Sequence, residues 1–315
     1  MLREITSQSD ITSAARLSTM SHDRLRSLLP FLPSRSESDF MPRIEWMTRE
    51  GMVIGLFEAG KLAAYLGAFP TDNFRNAGPG SFGPDWCHGI APGMDSVRTY
   101  RLLYRELAPR LIALGCPIHA FTFYASEGES VKAMELTGFG YIVMDAAQTI
   151  AELLTELPNS STGIEISRAQ PRDATELSRL DSALAAHLAA APVLMPNTRG
   201  MDSSEWADWL SKPTNVALLA GQNERITGFI KATEPQNDVS YAVHGESTLA
   251  ICGMYVETDS RRTGVGRSLL ASLVHEAENT GKQIVSVDCE TTNPEAYGFW
   301  TRWFKPVAYC LERRV

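Results

Sequence analysis

No apolar run in this chain approaches the ~20 residues that a membrane-spanning helix needs, so nothing in it reads as a span. The opening residues, Met1-Leu2-Arg3-Glu4-Ile5-Thr6-Ser7-Gln8, lack an apolar signal region. Cysteine is sparse. The five cysteines (Cys87, Cys116, Cys252, Cys289 and Cys310) are scattered, and no C-x-x-C pair occurs. That pattern argues against a zinc site or a disulfide framework. Cys252 and Cys289 fall in strand-like stretches and read as buried, reduced thiols. Basic residues are outnumbered, 29 to 37, giving a formal net charge of −8. Sequence-independent nucleic-acid binding needs a basic face, and this balance does not supply one. The absences together predict a cytoplasmic protein whose partner is a small molecule rather than a nucleic acid or a membrane.

What is present is ordinary for globular protein: 44% hydrophobic and 21% charged residues over 315 positions. That length exceeds one typical core and suits two domains. The polar, breaker-rich stretch Glu156-Leu157-Pro158-Asn159-Ser160-Ser161-Thr162-Gly163 reads as a linker. It divides the chain into 1–155, a linker at 156–162, and 163–315. In the second part, Val216–Ala220 and Ile226–Ala232 flank the turn Gly221-Gln222-Asn223-Glu224-Arg225, a hairpin. Leu249–Val256 and Ile284–Cys289 read as strands on either side of an amphipathic helix stopped by Gly281, and Val307–Leu311 reads as a last strand closing that domain. The first part repeats the order. A hairpin spans Met52–Leu66, Trp86–Ile90 is strand-like, Val97–Leu114 is helical, Ile118–Tyr124 is a strand, and Val131–Leu136 is a short helix. One order of elements found twice is a tandem signal.

The stretch with most chemistry is Arg261-Arg262-Thr263-Gly264-Val265-Gly266, between the strand ending at Val256 and the helix through Leu269 and Leu273. A glycine-rich turn opening a helix offers bare N–H groups where the helix dipole also favours anions. Arg261, Arg262 and Arg267 add cations that pair with phosphate oxygens. The physical reading is a pyrophosphate cradle.

These residues resemble the acetyl-CoA signature of the GNAT N-acetyltransferase superfamily: an Arg or Gln, two residues, Gly, one residue, then Gly or Ala. Asn293, Ala296, Phe299 and Trp300, followed by Trp303-Phe304, resemble the family's second motif. The resemblance covers about 163–315 well and 45–150 loosely. It implies an α+β fold of two tandem GNAT-like domains, each a mixed, mostly antiparallel twisted sheet with helices on both faces. It also implies that acetyl-CoA enters a gap where the strand ending at Val256 splays from the strand ending near Asp288. Backbone at Met254, Tyr255 and Val256 would pair with the pantetheine arm. Amides from Arg262 through Thr263, Gly264, Val265, Gly266 and Arg267 to Ser268 would hold the pyrophosphate, with Asn293 and Trp300 beside the cofactor. The Val256 N–H would polarise the thioester carbonyl.

Two departures follow. Where the family often has a tyrosine able to protonate the leaving thiolate, this chain has Trp300, which has no titratable proton. Tyr297 lies one turn earlier and serves as the acid only if its helix is rotated or shifted. Asp288 and Glu290 share a strand face near the mouth of the gap. They read as base for the incoming ammonium, as orienting carboxylates, or as plain strand-end charges. Asn293 reads equally as helix cap and as cofactor contact. The pair Trp206 and Trp209 reads as packing before it reads as an acceptor wall. In the first half, an offset of 166 residues puts Asp95 on Arg261, Arg98 on Gly264 and Tyr100 on Gly266, so the first domain reads as having lost the cofactor. The expected activity is acetyl transfer to a small acceptor, a primary amine first, by direct attack in a ternary complex. A thiol or hydroxyl acceptor, or a non-catalytic CoA sensor or scaffold, is the alternative.

Overall fold

A computed structural model of the protein describes residues 1–157, 163–222, 225–237 and 239–315. In chain order the elements are β1 (Leu2–Glu4), α1 (Gln8–Leu28), α2 (Glu37–Glu50), β2 (Met52–Glu58), β3 (Lys61–Thr71), β4 (Gly80–Gly83), β5 (His88–Ile90), α3 (Ser96–Ala113), β6 (Ile118–Tyr124), α4 (Gly128–Glu135) and β7 (Gly140–Thr149). There follow α5 (Ile150–Glu156), β8 (Glu165–Arg168), α6 (Ala174–Ala189), α7 (Ser203–Leu210), β9 (Val216–Gln222), β10 (Arg225–Thr233), β11 (Thr248–Val256), α8 (Val265–Asn279), β12 (Ile284–Glu290), α9 (Pro294–Trp300) and β13 (Lys305–Arg314).

The chain forms two compact units. The first is Met1–Asp145 with Ser240–Ala242 and Pro306–Val315; the second is Ala146–Val239 with Val243–Lys305. The sequence division differs in two places. The boundary falls inside β7, ahead of 156–162, of which residues 158–162 lie outside the described residues. The strand read as closing 163–315 belongs to the first unit: β13 runs antiparallel to β6 with Leu311 opposite Phe121. Leu311 is buried there among Leu103, Phe121 and Phe123. Apolar alternation marked β13 as a half-buried strand but carries no information about which sheet edge receives it.

In the first unit β1, β2, β3 and β4 pair antiparallel in turn, β5 adds to β3, and β4 runs parallel to β6. Alternation along β2 sorts its side chains between two cores. Val53 and Phe57 pack with α1 and α2, and Ile54 packs with α3 and α4. Ser240–Ala242, from between β10 and β11, belong to this unit, where the Ser240 hydroxyl donates to buried Asp85 at 2.6 Å. In the second unit β8, β9, β10 and β11 are antiparallel and β12 runs parallel to β11. The hairpin between β9 and β10 is present; residues 223 and 224 of its turn lie outside the described residues. One sheet face packs Leu219, Phe229 and Tyr255 against Leu177 and Leu180 of α6 and Trp206 of α7. Helix α8 lies across β9, β10 and β11 on the other, where Gly266 meets Met254. Each unit is thus a mixed, mostly antiparallel sheet with helices on both faces.

Candidate active site

The site of the second unit begins where a ladder stops. β11 and β12 pair in parallel over Thr248–Ile251 and Ile284–Val287, and the pairing ends at Ile251 opposite Val287. β11 runs on to Val256, paired only with β10 on its other side. Its burial changes at the same point: Thr248 to Ile251 are buried, while Gly253 to Val256 are half-exposed. The two strands therefore splay, as the resemblance implied.

The direction of the β11 backbone follows from the ladder with β10. The Glu257 N–H donates to the Thr227 carbonyl at 2.8 Å, so 257 and 227 form a hydrogen-bonded pair. Antiparallel pairs alternate. Val256 opposite Gly228, and Met254 opposite Ile230, are then non-bonded pairs, and their N–H and C=O groups face away from β10 into the splay. Two peptide units spaced two residues apart are what an extended amide-bearing chain needs for strand-like pairing. Tyr255 faces the other way.

The loop after β11 is held at both ends. Glu257, buried to 8% exposure, accepts a hydrogen bond from Arg179 at 2.7 Å and forms an ion pair with Arg225 at 2.5 Å. Arg261 donates from Nε to the Val256 carbonyl at 3.1 Å and pairs with Glu295 at 2.6 Å. In this structure Arg261 thus ties the loop to β11 and α9, while Arg262 is exposed with φ +65°. Gly264 caps α8 in the left-handed region at φ +101°, ψ −5°. A side chain there is strained, so glycine is the residue this turn requires. The first bond of α8 is from the Ser268 N–H to the Gly264 carbonyl, 2.9 Å. The amides ahead of Ser268 precede that ladder and lie at the positive end of the helix dipole, with no acidic residue in the first turn. The residues present fit a diphosphate.

The second motif lies beside this loop. The Asn293 side-chain oxygen accepts from the Ala296 N–H at 3.2 Å, capping α9. That leaves its Nδ2 as donor, 3.5 Å from His187 Nε2 on α6. The Phe299 ring lies 3.7 Å from where a Gly266 side chain would start, as does the Met254 methyl. Trp300 is turned inward instead. It is buried to 4% exposure and packs edge-on against Phe299 and Phe304. Asp288 and Glu290 follow the last ladder pair on one strand face, Asp288 exposed and Glu290 half-buried. Tyr297 is half-buried on α9, its carbonyl accepting from the Thr301 hydroxyl at 2.7 Å.

Sequence reasoning missed His187 and the Glu257 clamp, because neither belongs to a local motif. Both depend on α6 meeting residues about 80 to 110 positions later. It also placed Cys252 inside; the thiol is exposed and donates to the Lys231 carbonyl at 3.7 Å, because β11 has lost its β12 neighbour there. All five cysteines are free. Trp206 is fully buried against Phe229 and Trp209, in agreement with the packing reading. Among the described residues no group of three His, Cys, Asp or Glu is placed to hold a metal, and no helix is long and apolar enough to cross a membrane.

Splayed parallel strands, an outward-facing strand end and a left-handed glycine at a helix start form a cleft suited to an extended, amide-bearing chain that ends in an anion. Residues 184–304 match the model of the acetyltransferase (GNAT) family, and this part of the chain is a GNAT domain. No curated protein matches the chain. A solved GCN5-related N-acetyltransferase from Sphaerobacter thermophilus aligns with 100% of this chain and 95% of its own, at TM-score 0.62 and 15% identity. A tandem GNAT protein from the clavulanic acid biosynthesis pathway, without AcCoA, aligns with 100% of this chain and 98% of its own, at TM-score 0.52 and 10% identity. At such identities the likeness is one of fold, and the fold is a tandem GNAT arrangement.

Proposed function

We propose that the second unit binds acetyl-CoA and transfers its acetyl group to a small-molecule acceptor, a primary amine first. The observation that carries this reading is the end of β11: Met254 and Val256 turn their peptide groups into the splay beside the Gly264 turn. Acetyl-CoA would supply the acetyl group and the thiolate that leaves as the carbon–sulfur bond breaks. Met254 backbone would pair with the pantetheine amides. The amides from Arg262 to Ser268 would hold the diphosphate, with Arg262 and Arg267 as its nearest cations. The Val256 N–H would hold the carbonyl oxygen as negative charge develops on it. Asn293 Nδ2 would donate to the pantetheine arm while its oxygen caps α9. Asp288 or Glu290, past the last ladder pair, would take the ammonium proton directly or through water. Among the described residues no nucleophile stands beside a recognisable base, which favours direct attack in a ternary complex. Positioning and backbone polarisation then carry most of the rate.

A second reading is favoured by one observation. Trp300 occupies the expected position of the acid and is buried against Phe299 and Phe304, and Tyr297 on the same helix is the remaining hydroxyl. A CoA-binding sensor needs no acid. Two measurements separate and test the readings. Calorimetry with acetyl-CoA should show saturable binding that the double variant Gly264→Glu/Gly266→Glu abolishes; unchanged affinity refutes the cradle. Release of free CoA with a panel of primary amines marks the enzyme. Binding without release from amines, thiols or alcohols marks the sensor.

A further inference from the structure

In the first unit a cavity of about 450 Å³ opens between the loop after β5 and the start of α4. Its lining includes Arg24, Ser126, Glu127, Gly128 and Glu129. In the offset that places Ile118 on Ile284 and Gly128 on Pro294, Glu127 occupies the position of Asn293. A neutral amide with donors in one unit is thus a carboxylate, an acceptor only, in the other.

That carboxylate is short of donors. Its side chain is 4% exposed, and Oε1 receives one long bond from Arg24 Nη2, 3.4 Å, from a nitrogen that also donates to the Ser21 hydroxyl at 2.7 Å. Glu127 Oε2 has no hydrogen-bond partner, and neither has the buried hydroxyl of Ser126. The next group is His88 Nε2 at 3.7 Å, beyond hydrogen-bond range. Burial holds the His88 imidazole below its ordinary pKa and therefore uncharged near neutrality, although Glu127 pulls the other way. A buried carboxyl group with a single long contact leaves hydrogen-bonding capacity unmet, which is costly. Glu129 on the same wall gives the lining two carboxylates to one guanidinium. An ammonium group brings one positive charge and three donors, which suits both deficits.

We infer that this cavity binds a small molecule carrying a protonated amine, drawn to the Glu127 carboxyl group and the Ser126 hydroxyl of its wall. The site lies wholly in the first unit and does not rest on the acyltransfer reading. Calorimetry on the full chain with putrescine, ethanolamine and butyrate tests it. Putrescine and ethanolamine should bind and butyrate should not. Glu127→Gln keeps the shape and removes the charge, and should weaken putrescine at least tenfold. Gly128→Trp fills the cavity from its rim, where an added side chain meets nothing within 4 Å, and should abolish binding while leaving the buried network intact. The inference is overturned if putrescine gives no heat, if butyrate binds as tightly, or if either variant binds putrescine like the wild type.

Discussion

The two units carry the same parallel ladder and continue from it differently. In each the ladder has four residue pairs, but β4 ends with it at Gly83 opposite Phe121, whereas β11 runs on past Ile251 opposite Val287 to Val256. The offset of 166 aligns Gly115 with Gly281, Ile118 with Ile284 and Gly128 with Pro294. In that register α3, 18 residues long, starts three residues before α8, which has 15. An extra turn of helix, capped by Asp95, stands where the second unit has its left-handed turn. Tyr100 stands at the position of Gly266. It is fully buried, its hydroxyl is 3.1 Å from His88 Nδ1, and its ring meets Phe123 edge-on. The difference lies in the helix that follows, where one unit places an aromatic ring and the other leaves a hydrogen atom.

The largest effect should come from removing that ring. Tyr100→Ala deletes a fully buried aromatic and leaves His88 without its phenol partner, so the first unit should lose about 3–5 kcal/mol of stability. Acetyl-CoA affinity of the second unit should stay the same in any variant population that remains folded. Denaturant unfolding and calorimetry measure the two quantities. A loss under about 1 kcal/mol would mean that Tyr100 is a loose cover rather than a plug.

A smaller effect divides the units by pH. His22, His88 and His119 all lie in the first unit, and burial holds each below its ordinary pKa. An imidazole depressed in the folded state leaves the unfolded chain binding more protons in acid. Stability is therefore full above the unfolded value near 6.5 and declines as pH falls below it. Each histidine should contribute up to about 1.4 kcal/mol of loss by one unit below that point. A melting series from pH 7.5 to 5.5 should show the decline, and His88→Gln should make it shallower by one histidine's share, leaving that of His22 and His119. A melting temperature that does not move over this window removes the claim.

How much of this was legible depends on how local the determinant is. β6 reads off the sequence to the residue because Ile118-His119-Ala120-Phe121-Thr122-Phe123-Tyr124 is an apolar run bounded by Pro117 and Ala125-Ser126. The Gly264 turn was legible because a left-handed residue at a helix start selects glycine. In the first half the difference was legible as Arg98 and Tyr100 standing where the second half has Gly264 and Gly266. Helices α1 and α2, before the hairpin, carried no motif and went unread, although Ser7 and Ser36 cap them. The destination of β13, the His187–Asn293 contact and the inward turn of Trp300 are tertiary facts. Periodicity fixes that a residue is buried, not which neighbour buries it.

The smallest substitution sharpens the comparison most. Gly266 is helical, and a methyl added there would meet the Met254 methyl and the Phe299 ring at 3.7 Å, ordinary contact distance. Packing therefore does not demand glycine at this position, unlike Gly264 with its φ of +101°. Gly266→Ala should raise stability by about 0.5–1 kcal/mol, because alanine is the better helix former. If close backbone approach to a diphosphate is what keeps glycine there, the same variant should bind acetyl-CoA more weakly. A thermal melt and a calorimetric titration on one preparation decide the matter. Higher stability with undiminished affinity would show that the bare backbone at 266 serves no ligand, and the difference from Tyr100 would then be a matter of packing alone.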